Sequence, residues 1–171
     1  SLPQAWKEKQ IYLKLDAASK AATVYVNGRN IGEHAGGYTA CTFDLTPYLS
    51  FTSPNVLAIR VDNARQDIAP ISADFTFFGG IYRDVWLTAV PKQHFNLANH
   101  GSDGIFINTP HVSEEKATIQ IRGEVTNSSE EKSTLELTNT VYHPDGSLIQ
   151  THKQLIKLKG KEVFTFRHET S

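Results

Sequence analysis

The chain has 171 residues, 39% of them hydrophobic and 10% aromatic, enough to bury one core or two small ones and to exclude a disordered chain. Its 17 basic and 18 acidic residues leave a formal charge of −1, which gives no sequence-wide attraction for nucleic acid or an anionic membrane. Cys41 is the single cysteine, which rules out an intrachain disulfide, and no apolar run is long enough to cross a bilayer as a helix. The sequence starts at Ser1 and contains no Met, so it reads as a fragment of something longer.

Period-two alternation carries the apolar pattern, as strands with one buried face require. Ile11, Leu13 and Leu15 share a face, and Val24 and Val26 share another. Asn27-Gly28 stands between Thr23–Val26 and Arg29–Ile31. A type I′ turn needs positive φ at both central residues, so this dipeptide predicts a hairpin and an antiparallel sheet. Asp44-Leu45-Thr46-Pro47-Tyr48-Leu49 predicts a single helical turn, with Thr46 as N-cap and Pro47 at the first helical position. Further strands are predicted from Leu57, Ile59 and Val61, and from Ile81, Val85 and Leu87.

Residues 92–104 are poor in paired apolar positions and rich in Asn, His, Gly and Asp, so they read as a connection with a domain boundary near Pro91–Gln93. Two strands follow, one on Ile119, Ile121 and Val125, the other on Leu135, Leu137 and Val141. His143-Pro144-Asp145-Gly146 is a tight turn into Ser147–Leu158, and a last strand covers Val163–Arg167. Four or five short strands at this spacing describe an immunoglobulin-like or fibronectin-like sandwich. The seven histidines show no close spacing of the kind that makes a zinc site, and Cys41 has no partner for one. Asn127-Ser128-Ser129 has the form of an N-glycosylation sequon.

Three blocks carry a resemblance: VYVNGRNIGEHAGGYTACTFDL at Val24–Leu45, NVLAIRVDN at Asn55–Asn63, and DFTFFGGIYRDVWL at Asp74–Leu87. In this order and at these intervals they resemble the sugar-binding jelly-roll domain of glycoside hydrolase family 2, which includes β-galactosidases, β-glucuronidases and β-mannosidases. The resemblance implies an all-β chain: residues 1–91 a galactose-binding-like jelly roll lacking its first strands, residues 92–171 an immunoglobulin-like β-sandwich lacking its last ones. It implies a β-linked saccharide as ligand and a catalytic (β/α)₈ barrel in cis. The family's Asn-Glu acid/base signature is absent, since no Asn here precedes Glu. The chain alone is therefore expected to be inactive, with no catalytic residue assigned. Sheets missing an outer strand predict strand exchange or edge-to-edge pairing of the isolated piece into a homo-oligomer.

Asp74 matches a family aspartate that faces the glycone, in some members through a bound alkali cation; no other cofactor is implied. A carboxylate suits that role because it accepts paired hydrogen bonds from adjacent hydroxyls or binds a hard cation, while the competing reading is a loop aspartate capping a turn. Phe75, Phe77 and Phe78 offer a sugar an apolar face, or pack in a core or between domains. The loop from Gly32 to Tyr38 resembles one that points toward the rest of the enzyme, making His34 and Tyr38 either interdomain contacts that also reach the substrate or solvated loop residues. Gly79-Gly80 reads as a backbone device for a sharp turn or close approach. Arg83 reads as a structural residue paired with a carboxylate or with backbone carbonyls. The competing functions are a free-standing carbohydrate-binding module and a structural β-sandwich protein. The resemblance points first to a β-galactosidase-like parent, while family barrels, absent here, choose among galactoside, glucuronide and mannoside. Scavenging of polysaccharide fragments would suit a bacterial periplasm or secretion, although no targeting segment marks either.

Overall fold

The computed structural model describes residues 1–69, 72, 74 and 76–170. Its first part holds β1 (Gln10–Leu15), β2 (Ala18–Ser19), β3 (Ala21–Val26), β4 (Arg29–Ala35), β5 (Cys41–Asp44), β6 (Leu57–Asp62), β7 (Gly80–Ile81) and β8 (Val85–Val90). β1 runs antiparallel between β5 and β8, and β3 runs antiparallel between β4 and β6. A short β2–β7 ladder joins Ala18 to Ile81 and Ser19 to Gly80. The predicted alternation on β1 and β3 builds the core: Ile11, Leu13 and Leu15 pack with Ala22, Val24 and Val26 in one buried cluster. Each such aliphatic side chain contributes roughly 1.5–3 kcal/mol by leaving water, so these rows hold the two sheets together.

The Asn27-Gly28 turn forms as predicted, with φ of 51° and 80°. Asn27 also ties the turn to the β5–β6 connection, donating to the Tyr48 carbonyl at 2.9 Å and accepting from the Val56 N–H at 2.9 Å. The helical turn differs from the expectation in one respect. It is a 3-10 turn, Thr46–Tyr48, and Thr46 lies inside it rather than capping it. The cause is a competing partner: the Thr46 hydroxyl accepts the Ile11 N–H at 2.9 Å, while Asp44 accepts the Thr46 N–H.

The predicted strand through Ile81, Val85 and Leu87 is split between β7 and β8. Ile81 answers Ala18, whereas Val85 and Leu87 lie opposite Leu15 and Leu13. Val85 and Leu87 thus point to the core face yet are exposed, as is Leu57, which lies opposite buried Val26. Ile59, Val61 and Ala89 of the same strands pack against the core, so the exposed part of this face is Leu57, Val85 and Leu87.

The second part holds β9 (Gln93–Phe95), β10 (Ile105–Val112), β11 (Ala117–Asn127), β12 (Ser133–Tyr142), β13 (Leu148–Leu158) and β14 (Val163–Thr170). β11 is the axis of one sheet, pairing with β14, β10 and β9, and the β12–β13 hairpin packs over it. Ile121, Val125, Leu137, Ile156, Leu158 and Phe166 form the core between the two layers. The turn predicted at His143–Gly146 is present, with Gly146 at φ 85° and its N–H donating to the His143 carbonyl at 2.9 Å. Residues 92–104 are not solely a connection, because Gln93–Phe95 adds a strand to β11 and buries His94. Its one-residue alternation is too short to stand out in the sequence.

Asn127, fully buried, knots one end of this layer. Its amide donates to the carbonyls of Glu131 (2.7 Å) and Lys159 (2.9 Å). Its carbonyl accepts from Gln93 Nε2 (2.9 Å), the Ser129 hydroxyl (2.7 Å) and the Ser129 N–H (3.2 Å). The sequon is therefore closed in the folded chain, since the nitrogen that would be modified is enclosed and engaged.

Candidate functional site

The described residues of the Asp74–Leu87 block lie just before, in and after β7. Asp74 is exposed there, and Phe77 is half-buried. Phe78 is 63% exposed and stacks on Tyr82, with ring centroids 6.0 Å apart and planes 28° apart. Phe78 is thus not a core residue, while Phe75 lies outside the described residues. Arg83 is exposed and sits over the Tyr82 ring at 5.6 Å, a cation–π contact where the sequence points to a carboxylate or backbone partner.

Tyr82 joins this stretch to the loop after β4. Its hydroxyl donates to the Gly37 carbonyl at 2.5 Å, next to Tyr38, whose ring is 46% exposed. Gly37 is itself buried against Ser19 of β2. Gly79 fits the predicted close approach, because a Cβ there would stand 2.5 Å from Asn63 Nδ2. Ser19 and Lys20, Gly36 and Gly37, and Gly80 to Tyr82 are thereby drawn together, with Tyr38 beside them.

A second set of contacts fixes the start of the stretch of residues 63–79 between β6 and β7. Arg65 grips Asp67 with both branches of its guanidinium, at 2.7 and 2.6 Å, and reaches Glu33 of β4 at 3.4 Å. That grip holds the Asp67 carboxyl down at about 2 and pushes the Arg65 guanidinium up. The buried Lys20 donates its ammonium to the Arg65 carbonyl at 3.0 Å, anchoring the stretch from below. Lys20 and Glu33 do not stand out in the sequence, because they act through Arg65, 45 and 32 residues away.

His34 lies on β4, not in a loop, because the hairpin started by Asn27-Gly28 runs on to Ala35. Its Nε2 meets the Thr39 hydroxyl at 3.1 Å. It lines a cavity of about 350 Å³ with Glu33, Cys41, Phe43, His100 and Gly101, so it faces the 96–104 segment of the second part. Burial pushes the Cys41 thiol up to about 11, which leaves it protonated and unreactive near neutrality. Among the described residues no three His, Cys, Asp or Glu side chains come together to hold a metal ion.

The two parts are joined at a buried contact. The Tyr12 hydroxyl lies 2.9 Å from His94 Nε2, and His94 Nδ1 lies 2.9 Å from the Pro91 carbonyl. A carbonyl only accepts, so the His94 proton is on Nδ1 and Tyr12 donates to Nε2. Burial holds the His94 imidazole below its usual range and, with the Asp44 charge, pushes the Tyr12 phenol up to about 12. Both rings are therefore neutral at neutral pH, and the joint is intact there.

With this geometry in place, comparison with known proteins identifies the family. The model described as glycosyl hydrolases family 2, sugar binding domain, matches residues 1–91. A β-glucuronidase of Bacteroides fragilis is 36% identical over 115 residues, covering 67% of this chain and 16% of that protein. A β-galactosidase of Bacteroides ovatus is 31% identical over 164 residues, covering 95% of this chain and 18% of that protein. The crystal structure of a Bacteroides uniformis β-glucuronidase is 70% identical, superposes with a TM-score of 0.98, and covers all of this chain and 20% of its own. The chain belongs to glycosyl hydrolase family 2. It is an all-β piece with the family's jelly-roll sugar-binding domain, and it spans about a fifth or less of the length of these relatives.

Proposed function

We propose that this chain is the non-catalytic, sugar-facing portion of a family 2 glycosidase, that its parent hydrolyses β-glucuronides, and that Asp74 contacts the glycone. The observation that carries the reading is the stretch of residues 74–82. It holds an exposed carboxylate, Asp74, four residues before Phe78, which is exposed and stacks on the half-buried Tyr82, in the domain to which the family's sugar-binding model is matched. A carboxylate receives hydroxyl pairs, and an aromatic face receives the apolar side of a pyranose. In this reading Phe77, Tyr38 and His34 also contact the sugar, His34 from the cavity it shares with His100 of the second part. A glucuronide is favoured over a galactoside by the 70% identity to a β-glucuronidase, against 31% to the β-galactosidase.

In this reading residues 92–171, from a boundary at Pro91, are an immunoglobulin-like spacer between the jelly roll and a barrel supplied in cis. The exposed Leu57, Val85 and Leu87 at the β6 and β8 edges are covered by further chain of the parent protein. In the isolated piece those edges pair with a second copy, seen as a doubled mass at high concentration.

The test is hydrolysis of chromogenic β-glucuronide, β-galactoside and β-mannoside by the longest natural chain containing the segment, with the 171-residue piece beside it. Turnover of the glucuronide by the long chain alone is expected. Turnover by the short piece would contradict the non-catalytic role, and a preference for galactoside or mannoside would contradict the choice of sugar.

A further inference from the structure

His152 of β13 and His168 of β14 meet across the two layers of the second sandwich, with ring centroids 3.9 Å apart and planes 15° apart. The two lie on different strands, and only the register brings them together. His168 lies opposite Ile121 of β11, and His152 lies opposite Asn139 of β12. His168 Nε2 and Asn139 Nδ2 are both buried, with no hydrogen-bond partner. One step further along both strands, Gln150 of β13 donates to the Thr170 hydroxyl of β14. Beyond them lies the hairpin end, where Tyr142 and Leu148 are exposed. At this end of the sandwich the apolar core therefore gives way to a polar contact made by two titratable rings.

We propose that the His152–His168 stack is an acid-sensitive latch that holds the end of the β12–β13 hairpin onto the β11–β14 sheet. Two neutral imidazoles stack at this distance, whereas two imidazoliums repel, and a proton added at His168 Nε2 finds no acceptor. No carboxylate among the described residues faces the pair to offset the charge. By strand alternation the inward positions are Ile119, Ile121 and Val125 on β11, Leu135, Leu137, Asn139 and Val141 on β12, Gln150, Gln154, Ile156 and Leu158 on β13, and Phe164, Phe166 and Thr170 on β14. On β10, Ile105 and Ile107 share that face. The nearby charges engage each other on the outer faces, Lys153 with Glu136 and Arg167 with Glu169, while Arg122 lies over the Phe106 ring. A metal does not fit the arrangement, because near-parallel rings set their lone pairs side by side instead of converging on one point.

The pH dependence has a definite sign. Burial, and then the charge of His152, hold His168 below its ordinary value of 6.5. The unfolded chain therefore takes up the proton more readily than the latched one. The latch contributes fully above about pH 6.5 and is lost as the pH falls through the folded value.

The experiment is hydrogen exchange read by mass spectrometry on the longest natural chain, in peptides covering residues 139–152, at about pH 7.5 and about pH 5.5 with correction for intrinsic exchange. Opening in acid is expected to raise exchange there about tenfold. His168→Phe keeps a ring in place but cannot be charged, and it should hold the change under about twofold. An equal rise in this variant, or no rise in the wild type, overturns the proposal. If His168→Phe does not fold, His168→Leu is read by the same criterion, and a flat wild type is decisive by itself.

Discussion

Replacing Asp74 with alanine in the full-length glycosidase is expected to lower kcat/KM on its preferred chromogenic substrate about 10–100-fold, with the fold intact. The range is that of one or two hydrogen bonds to a charged group, about 1.5–3 kcal/mol. Asp74 is exposed, so its removal leaves no buried group unpaired and the melting temperature should stay within about a degree. That pairing of a large kinetic loss with unchanged stability separates a sugar contact from the turn-capping role. A capping aspartate would give the reverse: a small kinetic effect and about 1 kcal/mol lost in stability. Asp74→Asn is informative beside it. The amide keeps one acceptor and the shape but loses the charge, so partial retention of activity marks neutral hydroxyl contacts, while a loss as deep as alanine's marks a need for negative charge.

Asn127→Ala is expected to lower the stability of the second sandwich by about 3–4 kcal/mol, read as a shift in the denaturant midpoint of its transition. Five hydrogen bonds end on this one amide, and two of them satisfy the carbonyls of Glu131 and Lys159 at the connections before β12 and after β13. Alanine leaves those groups unpaired around a small void, and each orphaned buried group costs about 1–3 kcal/mol. Water reaching the rim recovers part of the sum. Asn127→Asp is no milder, because it sets a carboxylate oxygen against the two carbonyls. Ser129→Ala, which removes the hydroxyl donor to Asn127, should cost only about 1 kcal/mol. A midpoint unmoved in Asn127→Ala would mean that the knot is not what closes this end. The same burial predicts that the sequon stays unmodified in any folded chain.

Local alternation and turn chemistry make the first sandwich readable from the order of its residues. Ile11, Leu13, Leu15, Val24 and Val26 are core because their period matches the pleat, and Asn27-Gly28 turns because few other pairs tolerate two positive φ values. The motif blocks point to the family for the same reason: they are contiguous. What escapes the sequence depends on partners far apart along the chain. Thr46 is a fair N-cap by type, but 35 residues away Ile11 needs an acceptor and takes its hydroxyl. Tyr82 reads as the neighbour of an arginine, and only the fold shows it stitching the 74–82 stretch to Gly37. Asn127 reads as one residue of a common tripeptide, and the knot it makes needs Gln93 and Lys159 brought in from either side. His34 reads as a loop residue because Gly32 to Tyr38 resembles a family loop, whereas the β3–β4 pair runs on to Ala35 with a register shift between Val24 and Tyr25. The histidine stack has no local signature at all.

The most direct measurement is a crystal structure of the longest natural chain with a bound β-glucuronide product or non-hydrolysable analogue. The account predicts an Asp74 carboxylate oxygen within hydrogen-bonding distance, about 2.5–3.2 Å, of a glycone hydroxyl or of a cation touching the sugar, with the Phe78–Tyr82 stack at the pocket wall. A sugar held wholly by other parts of the protein, with Asp74 turned to solvent, would contradict it.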